Sequence, residues 1–219
     1  MLKAVFTLFA AALLTACATS TNLLNEGEIA SMRIERVEVK FKEDASISWY
    51  KVEQEFVERE MAKRTAKGGA LRAKAKSVPD AHDKAPDAMS IEAQTIAASP
   101  EAKAYVREAL ARLIKLRLEK DVVPEFKGAR PVVLEIQVVG FVIPSAAQRL
   151  VLGGTPILAA LRTLKDAKSG AELAKLDRGS AAAAGQGILG VAIEQALPDL
   201  EERLLDSFTR QTRDWLNKK

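Results

Sequence analysis

The chain has 219 residues, a formal charge of +4 from 33 basic and 29 acidic side chains, 48% hydrophobic residues and only 5% aromatic ones. This length suits one hydrophobic core with a tail and an insertion. The charges alternate in sign, as in Glu53-Gln54-Glu55, Glu58-Arg59-Glu60 and Lys63-Arg64, so they lack the concentrated basic face of a nucleic-acid binder. A single cysteine, Cys17, and a single histidine, His82, leave no internal disulfide, no Cys/His zinc cluster and no ready nucleophile-base pair.

Residues 1 to 16 open on Met1-Leu2-Lys3 and continue as an apolar run from Ala4 to Leu14. A positive start, a short apolar region and small residues at its end are features of a cleaved signal peptide, and the run is shorter than the ~20 apolar residues of a transmembrane helix. The run ends in Leu14-Thr15-Ala16-Cys17. That tetrapeptide resembles the lipobox of bacterial lipoproteins, which implies cleavage before Cys17 and lipidation of its thiol. In the resembled class an aspartate after the cysteine favours the inner membrane; here Ala18 follows, which implies an outer-membrane anchor facing the periplasm. Residues 17 to 28 read as a polar, flexible tether, and 29 to 219 as one domain.

The domain's first strand is expected from Ser31 to Lys42: Val37, Val39 and Phe41 alternate with charged residues, while Met32 and Ile34 have the opposite parity. The parity change predicts a bulge near Glu35-Arg36. Ser46 or Ser48 is expected to cap a helix beginning near Trp49, with Trp49, Val52 and Phe56 on its buried stripe and Gly68-Gly69 at its end. Residues 70 to 98, rich in Ala, Lys and Asp, read as a mobile insertion or a poorly packed helical excursion. It carries Asp80-Ala81-His82-Asp83, three potential metal ligands on a loop with no supporting shell, and these read as solvent-exposed.

Ser99-Pro100-Glu101 combines a capping residue, a proline at the first helical position and an acid in the first turn, predicting a helix to about Lys120. Its apolar stripe comprises Tyr105, Val106, Ala109, Leu110, Leu113, Ile114 and Leu116, and Pro124 prevents its continuation. Pro131 to Ile143 reads as a central strand apolar on both faces. Residues 145 to 154 read equally as a short helix or an apolar loop. Two strands, Pro156 to Lys165 and Ala171 to Asp177, flank Asp166-Ala167-Lys168-Ser169-Gly170, a turn in which Asp166 accepts backbone bonds and Gly170 takes a positive φ. Gly185-Gln186-Gly187-Ile188-Leu189-Gly190 satisfies G-x-G-x-x-G. No strand leads directly into it and the downstream acids lie on a helix, so the dinucleotide reading fails. The last helix is expected from Pro198, with Leu197, Leu200, Leu204, Phe208 and Trp215 on one stripe and Leu205, Thr212 and Leu216 at its edge.

The order of helix, strand, loop, strand, Asp-x-x-Ser-Gly hairpin, glycine-rich segment and amphipathic helix resembles uncharacterised bacterial envelope lipoproteins. It is also similar in outline to the periplasmic domain of the curli-secretion lipoprotein family. The long alternating segments of a membrane pore are missing, so a secretion-channel role is not implied.

The expected fold is α+β: a small, mostly antiparallel, mixed sheet of about four strands, with amphipathic helices packed mainly on one face. The strands from Ser31 and Pro131 are expected to be parallel neighbours, since two helices separate them. The expected function is a non-catalytic accessory or binding subunit of an envelope assembly or transport complex, tied to the membrane through Cys17, with an envelope protein as partner and no cofactor, metal or nucleic acid. Leu150, Leu152, Ile188, Leu189 and Val191 are the candidate partner contacts. The alternatives are a carrier of a lipid or other apolar ligand between sheet and helices, and an enzyme using carboxylates alone.

Overall fold

The computed structural model describes residues 20–22, 24–74, 86–143, 156–182 and 200–217. These form one mixed sheet with helices against one face, an α+β fold. In chain order the elements are β1 (Ser20–Asn22), α1 (Glu26–Ala30), β2 (Met32–Trp49), α2 (Tyr50–Lys74), α3 (Pro86–Ala97), α4 (Pro100–Asp121), a 3-10 turn (Val123–Glu125), β3 (Arg130–Ile143), β4 (Ile157–Asp166), β5 (Glu172–Ala182) and α5 (Leu200–Leu216). The strand order is β1-β5-β4-β3-β2. Among the described residues only β2 and β3 are parallel; the other three pairings are antiparallel.

Five strands, one more than expected, are present among the described residues. The additional strand lies in the segment read as a tether. Ser20, Thr21 and Asn22 pair with Leu176, Lys175 and Ala174, and α1 follows through a capping box. The Asn25 side chain accepts from the Glu28 N–H at 2.8 Å, and the Glu28 carboxylate accepts from the Asn25 N–H at 2.7 Å. Among the described residues of this segment the one apolar anchor is Leu24, buried in the main core; β1 and the start of α1 otherwise rest on backbone bonds and a capping box, so 17 to 28 looks disordered in composition.

β2 begins where the alternation places it and has the expected bulge between Ile34 and Arg36. It then continues past Lys42 to Trp49, resuming its pairing with β3 after a second register shift between Phe41 and Ser46. Ser46 and Ser48 are therefore strand residues rather than helix caps. The start of α2 is satisfied instead by Glu53, whose carboxylate accepts from the Trp49 N–H at 2.9 Å. Trp49, Val52 and Phe56 are buried as expected, with Trp49 edge-on to Phe141 at 5.3 Å and 73°. α2 runs through Gly68-Gly69 to Lys74. Each glycine costs roughly 1 kcal/mol relative to alanine, and the flanking Ala, Lys, Leu and Arg residues outweigh that preference.

The insertion read over 70 to 98 is largely helical in its second part. α3 sets Ile96 into a small satellite cluster with Phe56 and Ala102, and Arg64 pairs with Glu92 at 2.9 Å. His82 and its flanking aspartates lie outside the described residues. α4 starts on the Ser99 cap, whose hydroxyl accepts from the Ala102 N–H at 3.1 Å. Its buried stripe is Ala102, Val106, Leu110, Ile114 and Leu118. Leu116, assigned to that stripe from sequence, is 58% exposed. A strict i, i+4 ladder from Ala102 to Leu118 leaves it on the far side.

β3 is central, between parallel β2 and antiparallel β4. Val132, Leu134, Ile136 and Val138 are fully buried beneath the helices. The opposite face is less covered than expected: Val133 is buried, but Glu135, Gln137 and Val139 are only partly so. α4 and α5 lie on the same face of the sheet and contribute Leu110, Ile114, Leu118, Leu204 and Phe208 to one core, while α2 and α3 stack outward against α4. Arg117 on α4 joins Asp121 at 2.7 Å and also pairs with Asp206 of α5.

Candidate functional site

The residues singled out from sequence for function, namely Cys17 and the contact set Leu150, Leu152, Ile188, Leu189 and Val191, lie outside the described residues, as does the glycine motif at 185 to 190. The described fold nevertheless begins three residues after Cys17, at Ser20 on the β1 edge of the sheet. Three extended residues reach about 10 Å, so whatever holds Cys17 also holds this edge.

Three polar arrangements are built into the described sheet. On the face without helices, Lys40 of β2 and Lys165 of β4 both bond Glu135 of β3, Lys165 at 2.9 Å. Arg36, Glu38 and Lys40 extend the ladder along β2, with Arg36 to Glu38 at 2.7 Å and Lys40 to Glu38 at 3.4 Å. Burial would raise the Glu135 carboxyl, but the two lysine bonds prevail and hold it below the usual carboxylate range. Every charge in this ladder has a partner, so it reads as a cross-strand lock.

The second arrangement is the β4–β5 turn. The Asp166 carboxylate accepts from the Ser169 N–H at 3.0 Å, the Ser169 hydroxyl at 3.1 Å, the Arg130 Nε–H at 3.1 Å and the Lys168 N–H at 3.1 Å. Gly170 supplies φ +72°. Bonds from Ser169 lead the causes that lower the Asp166 pKa to about 2 from an ordinary 3.8. A carboxyl depressed by folding stabilises above its unfolded value and loses that contribution as pH falls through its folded value. Asp166→Asn is therefore expected to cost stability at neutral pH, with the deficit relative to wild type shrinking between about pH 4 and pH 2. Acid titration of the two unfolding curves checks this, and a constant deficit across that interval contradicts it.

The third arrangement was not anticipated. Arg162 of β4 points into the core, fully buried, on the face shared with Leu158, Ala160 and Leu164. Its Nε–H donates to Thr212 Oγ1 at 2.8 Å, and that hydroxyl in turn donates to the Phe208 carbonyl at 2.8 Å. The guanidinium stacks over the Phe208 ring at 4.3 Å. Burial lowers its pKa to about 10. β4 is apolar on both parities, from Ile157 to Leu164, so alternation alone did not reveal which face Arg162 would occupy. Thr209 and Thr212 among the apolar residues of α5 were the legible signal.

A cleft of about 280 Å³ opens where the far end of β2 meets α2, α3 and α4, lined by residues including Ile47, Glu53, Lys103, Val106 and Arg107. No protein-family model, curated protein or solved structure matches this chain. The chemistry at hand therefore rests on the residues themselves. Among the described residues no group of three or more His, Cys, Asp or Glu side chains is arranged to hold a metal ion. No helix among them is long and apolar enough to cross a membrane.

Proposed function

We propose that the chain is a bacterial envelope lipoprotein, held to the outer membrane by lipid on Cys17 and acting through its α+β domain as a binding or accessory subunit rather than as an enzyme. The observation that carries this reading is Leu14-Thr15-Ala16-Cys17 at the end of the apolar run that follows Lys3. Acyl chains add roughly 0.8 kcal/mol for each buried methylene, so two or three of them on one thioether and amine hold a soluble domain at a bilayer. The short link to Ser20 supports a close-set arrangement in which the β1 edge of the sheet lies near the lipid. An envelope protein is the expected partner, contacted through the apolar stretches containing Leu150, Leu152, Ile188, Leu189 and Val191.

Cys17→Ser decides the anchor. Wild-type protein is expected to sediment with outer membranes and to yield a diacylated or triacylated N-terminal peptide by mass spectrometry, whereas the Ser variant is expected to carry no acyl group, to keep residues 1 to 16 and to leave the outer-membrane fraction. An unacylated wild-type peptide sinks the reading. Crosslinking in intact envelopes, followed by identification of captured proteins, tests the accessory role. Recovery of a copurifying lipid with no protein partner would favour the carrier reading instead. The described cleft mixes apolar walls, Ala45, Ile47, Ala97, Ala102 and Val106, with the charged Glu53, Lys103 and Arg107, whereas a lipid-tail cavity carries few charged groups.

A further inference from the structure

We propose that the cleft beside the first two turns of α4 binds a small monocarboxylate with an apolar group, the carboxylate at Lys103 and Arg107 and the apolar group against Ile47 and Val106. The cleft holds about 280 Å³, close to the lower end of the range for small-molecule sites. Its apolar wall belongs to the packing of the fold. Val106 and Ala102 are buried on α4, and Ile47 of β2 is half-buried against the main core. An apolar group that enters there leaves water for a surface already in place.

The charges in the lining point to an anion. Lys103 and Arg107 stand four residues apart, neighbours on one helix face, where like charges repel. Farther along the same helix Lys115 meets Glu119 at 3.8 Å and Arg117 meets Asp121 at 2.7 Å, whereas Lys103 and Arg107 form no ion pair with any described residue. Arg107 is half-buried, and its guanidinium lies over the Phe41 ring at 5.7 Å from the centroid. That contact positions the group while leaving its N–H donors to a ligand. Glu53, the acid among the described lining residues, is already engaged: its carboxylate accepts from the Trp49 N–H at 2.9 Å. Two cations and one carboxylate leave a single positive charge, which a monoanion neutralises and which a dianion exceeds, against the opposition of Glu53. The inference is independent of the lipid anchor at Cys17.

The test titrates the isotope-labelled full-length chain with sodium benzoate at constant ionic strength and about pH 8, where a phosphate monoester is a dianion. Sodium acetate, benzyl alcohol and phenyl phosphate are the comparison probes. Amide resonances of Ile47, Lys103, Val106 and Arg107 are expected to shift saturably with benzoate. Acetate, which lacks the ring, and benzyl alcohol, which lacks the charge, are each expected to bind about tenfold more weakly or worse, and phenyl phosphate more weakly than benzoate. Lys103→Gln and Arg107→Gln are each expected to weaken benzoate about tenfold. Should Arg107→Gln fail to fold, Lys103→Gln, at an exposed position, carries the comparison. The site is overturned by the absence of a saturable shift at these residues, by benzoate binding as tightly to the variants as to wild type, or by acetate or benzyl alcohol binding as tightly as benzoate. Phenyl phosphate binding more tightly than benzoate overturns the monocarboxylate class.

Discussion

Phe208→Ala is expected to lower the stability of the domain by about 3–5 kcal/mol, the range for deleting a buried aromatic ring from a packed core. Phe208 is fully buried on α5 among Leu204, Leu205 and Leu216, so the missing ring leaves a void that the neighbouring helix and sheet close only in part. A second loss adds to the first, because the ring lies under the Arg162 guanidinium. Removing it strips one of the few favourable contacts of a buried cation, and burial without compensation is where large effects originate. Denaturant unfolding of the variant checks this: the midpoint should fall with the slope retained. A loss under about 1 kcal/mol would show that α5 is not integral to the core. Phe208→Leu, which keeps most of the apolar volume while deleting the ring face, separates the two contributions.

Gly128→Ala is expected to be at least as damaging relative to its size, with a loss above about 3 kcal/mol for one added methyl group. An added Cβ would lie 2.0 Å from both the carbonyl carbon and oxygen of Ser31 and 2.5 Å from the Met32 nitrogen. Those are backbone atoms, which cannot rotate aside. The same segment fastens the start of β2 to the start of β3: the Gly128 N–H donates to the Met32 carbonyl at 2.8 Å and the Arg130 N–H to the Ser31 carbonyl at 2.9 Å. Displacing Gly128 therefore strains the point from which the parallel pair Met32↔Arg130 and its successors take their register. Hydrogen exchange should show loss of protection along β2 and β3 ahead of α5, and unchanged protection there would contradict the argument. Gly170 is the contrast, since its positive φ is strained for other residues yet an added Cβ meets nothing within 4 Å.

The α+β class, the parallel β2–β3 pair, the first bulge of β2, the Ser99 cap, the Asp166–Gly170 turn and the apolar stripe of α5 were all legible in the residues. The fold class and the parallel pair followed from the order of the elements, with two helices between β2 and β3; each of the others depends on groups a few positions apart: alternating side chains, a hydroxyl three residues before an orphan N–H, or a glycine where φ is positive. Failures occurred where distant chain supplied the missing partner. Ser46 and Ser48 looked like caps, but β3 offered a ladder to pair with. The polar segment around Ser20 looked like a tether, but β5 offered an open edge. Ile96 looked unanchored because Phe56, forty residues earlier, is what it packs against.

The candidate site divides along the same line. Leu14 to Cys17 is a local signal, readable before any folding, and the anchor proposed for it needs no tertiary information. Arg162 is a single basic residue in an apolar stretch, with nothing nearby in sequence to say which way it faces. That was decided by the register of β4 against β3 and by the arrival of α5, which places Thr212 and Phe208 around the guanidinium. Local spacing determines elements and their ends because its interactions span one turn or one pleat. The choice of which charge goes inside, and what it meets there, belongs to the tertiary structure because it depends on segments some fifty residues apart.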